Sequence, residues 1–188
     1  MEKARGFRGS NRLRLAVQFL LILGVIAGTG AGESSVSSKA APLAEHPRPD
    51  LQRQVWLNLN GPWAFEFDGE NRGLGQEWQS SNAPFQKEII VPFPWGSSLS
   101  GVEDEADIGW YARKILVPAS WEGKRTFLVI GACDWRTTVW LDGHELGSHQ
   151  GGYTPFEFEL TPGVKYGKEQ LLVLRVDDSK HEFKLEGK

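Results

Sequence analysis

From Leu51 onward, large apolar residues return at every second position, and no stretch long enough for a stable helix carries an apolar stripe of helical period. Trp63, Phe65 and Phe67 alternate with Ala64, Glu66 and Asp68. Thr137, Val139 and Leu141 alternate with Arg136, Thr138 and Trp140, and Phe156, Phe158 and Leu160 with Glu157 and Glu159. The segments 88–91, 111–117, 126–130 and 171–176 are apolar and rich in β-formers. Turn residues sit between them. Asn60-Gly61-Pro62 separates the first two strands. Pro118 ends the 111–117 strand, and Pro162-Gly163 closes the 156–160 strand. Asp142-Gly143 separates Trp140-Leu141 from His144-Glu145-Leu146, the signature of a two-residue hairpin. About eight short strands joined by Gly/Pro turns predict an all-β chain, a β-sandwich of jelly-roll type.

The first residues follow different rules. Positions 1–14 hold five basic residues and one acid, and residues 15–27 (LAVQFLLILGVIA) are uncharged. Small residues follow, from Gly28 to Gly32. This is the order of a secretory signal peptide, and it is too short for a stable membrane span, which takes about 20 apolar residues. The expected organisation is a signal peptide over 1–31, a Ser/Ala/Pro-rich linker over 32–50 and one sandwich domain over 51–188. Its product is expected to be secreted or periplasmic. At 188 residues the chain is too short for a (β/α)₈ barrel, which needs about 250. Outside the first 14 positions, 16 basic residues face 23 acids, a net charge of −7. That balance argues against a nucleic-acid partner. One cysteine, Cys133, excludes an internal disulfide framework and a multi-cysteine zinc site. It follows an apolar run, so burial and inertness are expected of it.

The most specific polar segment is His149-Gln150-Gly151-Gly152-Tyr153-Thr154-Pro155-Phe156. Two glycines permit close backbone approach or positive φ, beside an imidazole, an amide and a phenol suited to sugar hydroxyls. Two readings follow: a loop that faces a sugar, or a strand connection whose His and Tyr satisfy local backbone groups. Trp78, Trp95, Trp110, Trp121, Trp135 and Trp140 are either core or stacking platforms. Trp95, in the Pro/Gly-rich run 91–96, is the one expected at the surface. The acidic run 103–107 lacks calcium-loop spacing and reads as a solvated loop. No metal site and no cofactor is expected. No pair of carboxylates stands out as a hydrolytic pair, and no Gly-x-Ser-x-Gly, HExxH or Walker pattern is present.

Five segments, in order, resemble the N-terminal sugar-binding domain of glycoside hydrolase family 2, the group of β-galactosidases, β-glucuronidases and β-mannosidases. They are residues 57–65 (LNLNGPWAF), 91–95 (VPFPW), 109–114 (GWYARK), 139–143 (VWLDG) and 149–156 (HQGGYTPF). The resemblance covers about residues 48–185. It implies a galactose-binding-domain-like jelly roll. It also implies partner domains in the same enzyme: an immunoglobulin-like sandwich and a (β/α)₈ barrel with two glutamates for retaining hydrolysis of β-glycosides. Trp95, His149, Gln150, Gly151, Gly152 and Tyr153 would then lie on the rim of a carbohydrate site. Gly151 or Gly152 stands where some family members hold a metal-linked Asp, so a metal role for the loop is not expected. The barrel and its catalytic residues are expected to lie outside this chain, which alone should not hydrolyse glycosides. Arg113 reads as a structural strand residue paired with a carboxylate. The alternatives are a free-standing carbohydrate-binding module, with exposed aromatics on one face, and a purely structural buttress with an apolar docking patch.

Overall fold

A computed structural model describes Pro42, residues 55–80 and residues 83–179. All of these fall within the unit Ser37–Lys188. The expected signal peptide lies outside the described residues, as does the linker apart from Pro42. Among the described residues no helix is long and apolar enough to cross a membrane.

The alternating segments do form strands: β1 (Gly61–Phe67), β2 (Lys87–Val91), β3 (Ile108–Leu116), β4 (Phe127–Ile130), β5 (Arg136–Leu141), β6 (His144–Gln150), β7 (Phe156–Glu159) and β8 (Glu169–Asp177). Short 3₁₀ turns at Ser98–Ser100 and Ala119–Trp121 interrupt the connections. Six strands make one antiparallel sheet in the order β2-β1-β3-β8-β5-β6, and β4 pairs with β7 in a second sheet. The strand expected before Asn60-Gly61-Pro62 is not formed by the described residues 55–60. There the Asn58 side chain accepts from the Asn60 N–H at 2.8 Å, which turns the backbone into β1 instead.

Period two decides which residues share a face. Trp63 and Phe65 of β1, Ile89, Ile115, Val139, Leu141 and Leu172 point to one side of the large sheet. There they meet Leu128 and Phe158 of the two-stranded sheet, so the main core lies between the sheets. The other face is covered as well. Trp78, Ile108, Trp110, Ala112, Trp140 and Val173 form a second core, with Ala83 and Phe85 of the β1–β2 connection packed on it. Trp110 and Trp140 stack at 5.4 Å, and Trp78 meets Trp110 edge-on at 5.8 Å. The connection is held by Asp68, which is 3% exposed. Its carboxylate accepts from the Arg72 N–H, the Gly73 N–H and Trp110 Nε1.

The β5–β6 hairpin turns as the sequence foretold. Asp142 (φ 48°) and Gly143 (φ 79°) both take the left-handed region that a type I′ turn requires. Asp142 also bonds Lys165 Nζ, Gln170 Nε2 and the Leu171 N–H. Burial pushes its carboxyl up, but those donors and the Lys165 charge outweigh that and bring it down to about 2.

Arg113 is structural, but its partner is not a carboxylate. Its Nη1 donates to the carbonyls of Leu59 (2.6 Å) and Asn60 (3.1 Å), and its guanidinium lies 5.9 Å from the Trp63 ring centroid. Burial lowers its pKa. It ties the segment before β1 to the centre of the sheet.

Candidate functional site

The residues expected at a site gather at one end of the large sheet. The pairing Phe67–Gly109–Val176–Thr137–His149 runs straight across β1, β3, β8, β5 and β6. Directly paired residues share a face, so all five face the inter-sheet core. Trp95 sits on this row at Gly109, where an added Cβ would come within 2.7 Å of the indole. His149 stands at the other end of the row, three strand spacings or about 14 Å away. The structure therefore places Trp95 and His149 on one face and at one level, without contact.

Trp95 is not the exposed platform that its loop suggested. It is half-buried against Phe65, Phe67 and Tyr111, with ring centroids 5.9–6.1 Å away. The Pro/Gly-rich loop folds inward because Gly109 leaves a notch that the indole fills. Of the other candidate tryptophans, Trp78, Trp110 and Trp140 are buried in the second core, and Trp121 and Trp135 are half-buried. None of the eight tryptophans is exposed. Cys133 is half-buried rather than enclosed. It lies close enough to Tyr111 that its charge, after burial, helps raise the phenol's pKa.

The 149–153 segment is built in two tiers. His149, next to the end of β6, stacks its ring on Phe156 at 4.0 Å. Gln150 is exposed. Gly151 (φ 129°) donates its N–H to the Trp135 carbonyl at 2.8 Å, which carries the β5–β6 pairing one step further. Gly152 is buried against Asp134, and a Cβ there would lie 2.5 Å from the carboxylate carbon. Tyr153 then emerges, 49% exposed. The tight seat of Gly152 on Asp134 escaped the sequence reading, because the two residues are 18 positions apart with only the hairpin between them. The Asp142-Gly143 turn was the available signal, since it folds the two ends of that hairpin together.

A shallow depression of about 460 Å³ lies elsewhere, on the β2 edge, lined by Lys87, Glu88 and residues 101–104. There Lys87 Nζ pairs with Asp104 at 2.9 Å, and the acidic run 103–107 faces solvent as expected. Among the described residues, no cluster of His, Cys, Asp and Glu could hold a metal ion.

This geometry can be set beside known proteins. The sugar binding domain of glycosyl hydrolases family 2 matches residues 56–183. The chain belongs to glycosyl hydrolase family 2. Its family 2 relatives include a β-glucuronidase of Paenibacillus borealis, 34% identical over 138 residues that make up 70% of this chain and 22% of that protein. A β-galactosidase of Thermoanaerobacter pseudethanolicus is 35% identical over 131 residues, 66% of this chain and 17% of that one. Among solved structures, a Ruminococcus gnavus β-glucuronidase in complex with a C6-substituted uronic isofagomine aligns with a TM-score of 0.59 and 28% identity. That alignment covers 64% of this chain and 21% of that one. The family 2 domain thus spans about a fifth of the length of these relatives.

Proposed function

We propose that this family 2 domain serves a secreted, retaining exo-β-glycosidase of β-glucuronidase type, with the 149–153 loop on the rim of its carbohydrate site. Its fold is read as a galactose-binding-domain-like jelly roll. The observation that carries the reading is the loop's two tiers: His149, Gly151 and Gly152 are locked into the sheet end, while Gln150 and Tyr153 are left outward. A rim needs that combination of a rigid base and exposed polar side chains. The choice of glucuronidase over galactosidase rests on how many of the similar proteins and solved structures are β-glucuronidases. The chemistry, with its two glutamates, is assigned to a barrel of the same enzyme. The buried tryptophans speak against a free-standing carbohydrate-binding module, because Tyr153 is the one strongly exposed aromatic among the described residues.

The first test is to sequence the source DNA past codon 188. An open frame running into a second sandwich and a barrel with two glutamates is expected; a stop codon directly after Lys188 rules out catalysis by this chain. The full product is then assayed on aryl β-glucuronide and β-galactoside, with Tyr153→Ala beside the parent. A several-fold loss of kcat/KM with an unchanged unfolding midpoint is expected. Equal kinetics for the two proteins remove Tyr153 from the rim.

A further inference from the structure

The chain that leaves β6 begins with two consecutive glycines, the residue type with the widest backbone freedom. Left alone, Gly151-Gly152 would be a swivel, and Tyr153 beyond it would have no fixed direction. Residues 153–155 are all exposed, so Gly152 is the last buried position before the loop tip. Each glycine meets one residue of the segment ahead of β5. Gly151 donates its N–H to the Trp135 carbonyl at 2.8 Å. Gly152 lies against the carboxyl group of Asp134: a Cβ there would stand 2.5 Å from Cγ and Oδ1 and 2.9 Å from Oδ2. The whole carboxyl group crowds that one position, and its Oδ1 is closed to solvent. The support is firmer than what it supports. Arg136 opens β5 paired with Asp177 of β8 on one side and Gln150 of β6 on the other, and the Trp135 N–H donates to the Asp177 carbonyl at 3.4 Å. Among the described residues β6 pairs with β5 alone. The loop therefore hangs from an edge strand, while Asp134 leads into an inner one.

We propose that Asp134 is a positioning residue for the 149–153 loop: its carboxyl group fills the side-chain space of Gly152, removes that glycine's freedom and so sets where Tyr153 projects. The device works by shape. A planar group of carboxyl size at position 134 holds Gly152 in place, and an alanine there leaves a gap into which the glycine can turn. With the loop taken as the carbohydrate rim proposed above, the consequence for the reaction is definite. A contact residue that is held in place before the substrate arrives spares the ordering cost at binding. A loosened Tyr153 gives up contact with substrate and transition state alike, which raises KM and leaves kcat. Asp134 itself touches neither in this scheme; it acts through Tyr153.

The test compares Asp134→Ala, Asp134→Asn, Tyr153→Ala and the Asp134→Ala/Tyr153→Ala double variant in the full product. Limited chymotrypsin cleavage after Tyr153, followed by fragment mass, reads the loop's mobility whether or not the loop is a rim. Asp134→Ala is expected to speed that cut several-fold, and Asp134→Asn, which keeps the planar shape, to recover most of the parent's resistance. A cutting rate unchanged by Asp134→Ala overturns the proposal. Kinetics on an aryl β-glucuronide then separate positioning from general damage. Asp134→Ala is expected to raise KM several-fold with kcat near the parent's, and to cost nothing further in the Tyr153→Ala background. A lower kcat at unchanged KM, as a smaller folded fraction gives, overturns it, and so do losses that add in the double variant. A faster cut in Asp134→Ala beside a kinetically silent Tyr153→Ala sustains Asp134 as the residue that holds the loop and removes the rim reading alone.

Discussion

Asp68 shows how much one side chain can organise. Its carboxylate is buried, and three N–H groups gather on it, including the indole of the wholly buried Trp110. Asp68→Ala strands all three donors, so a loss of about 3 kcal/mol is expected in urea unfolding. A change below about 0.5 kcal/mol would show that the carboxylate does not hold the β1–β2 connection. Asp142 makes a pH-dependent prediction. Its folded pKa lies below the ordinary 3.8, at about 2, so its stabilisation is complete above about pH 4 and is lost as pH falls toward 2. Asp142→Asn should remove roughly 1–2 kcal/mol at neutral pH and flatten that acid limb. Gly152 tests a contact directly. Gly152→Ala collides with Asp134, and adding Asp134→Ala should restore part of the lost melting temperature. Equal losses in the single and double variants would deny the contact. Trp95 and Arg113 were misplaced by the sequence for one reason. The notch at Gly109 and the carbonyls of Leu59 and Asn60 come from distant segments, and local composition cannot show them.

The strands were the legible part. Apolar alternation marked β1, β5 and β7, apolar β-rich runs marked β2, β3, β4 and β8, and the Asp142-Gly143 turn marked β6. β6 runs longer than its pattern suggested, to Gln150 rather than Leu146. Gly147 and the polar residues around it hide the alternation, yet Gly147 (φ 144°) packs close to Phe158. Of the two readings left open for the tryptophans, the structure takes the core one at Trp110 and Trp140. Their face reads as outward only if the β1–β2 connection is ignored. Elements should differ in local stability. β3 and β8 pair over nine residues in mid-sheet, while β4 and β7 pair over four. Hydrogen exchange should be slowest at β3 and β8 and measurably faster at β4 and β7. The reverse order would mean that the small sheet, not the centre of the large one, is the last to open.

For the molecule as a whole, family membership was readable because five short motifs kept their order along one chain. The site was only half readable. The sequence named the 149–153 loop, but its two tiers depend on Phe156, Trp135 and Asp134 meeting it in space. The second core has a consequence for anyone shortening this gene. The residues that cover Trp110 and Trp140 are encoded between β1 and β2, ahead of most of the sheet. A version beginning at β2 would not be a smaller sandwich. It would present stacked indoles on a bare sheet beside an unpaired β3 edge, and its expected fate on expression is the insoluble fraction.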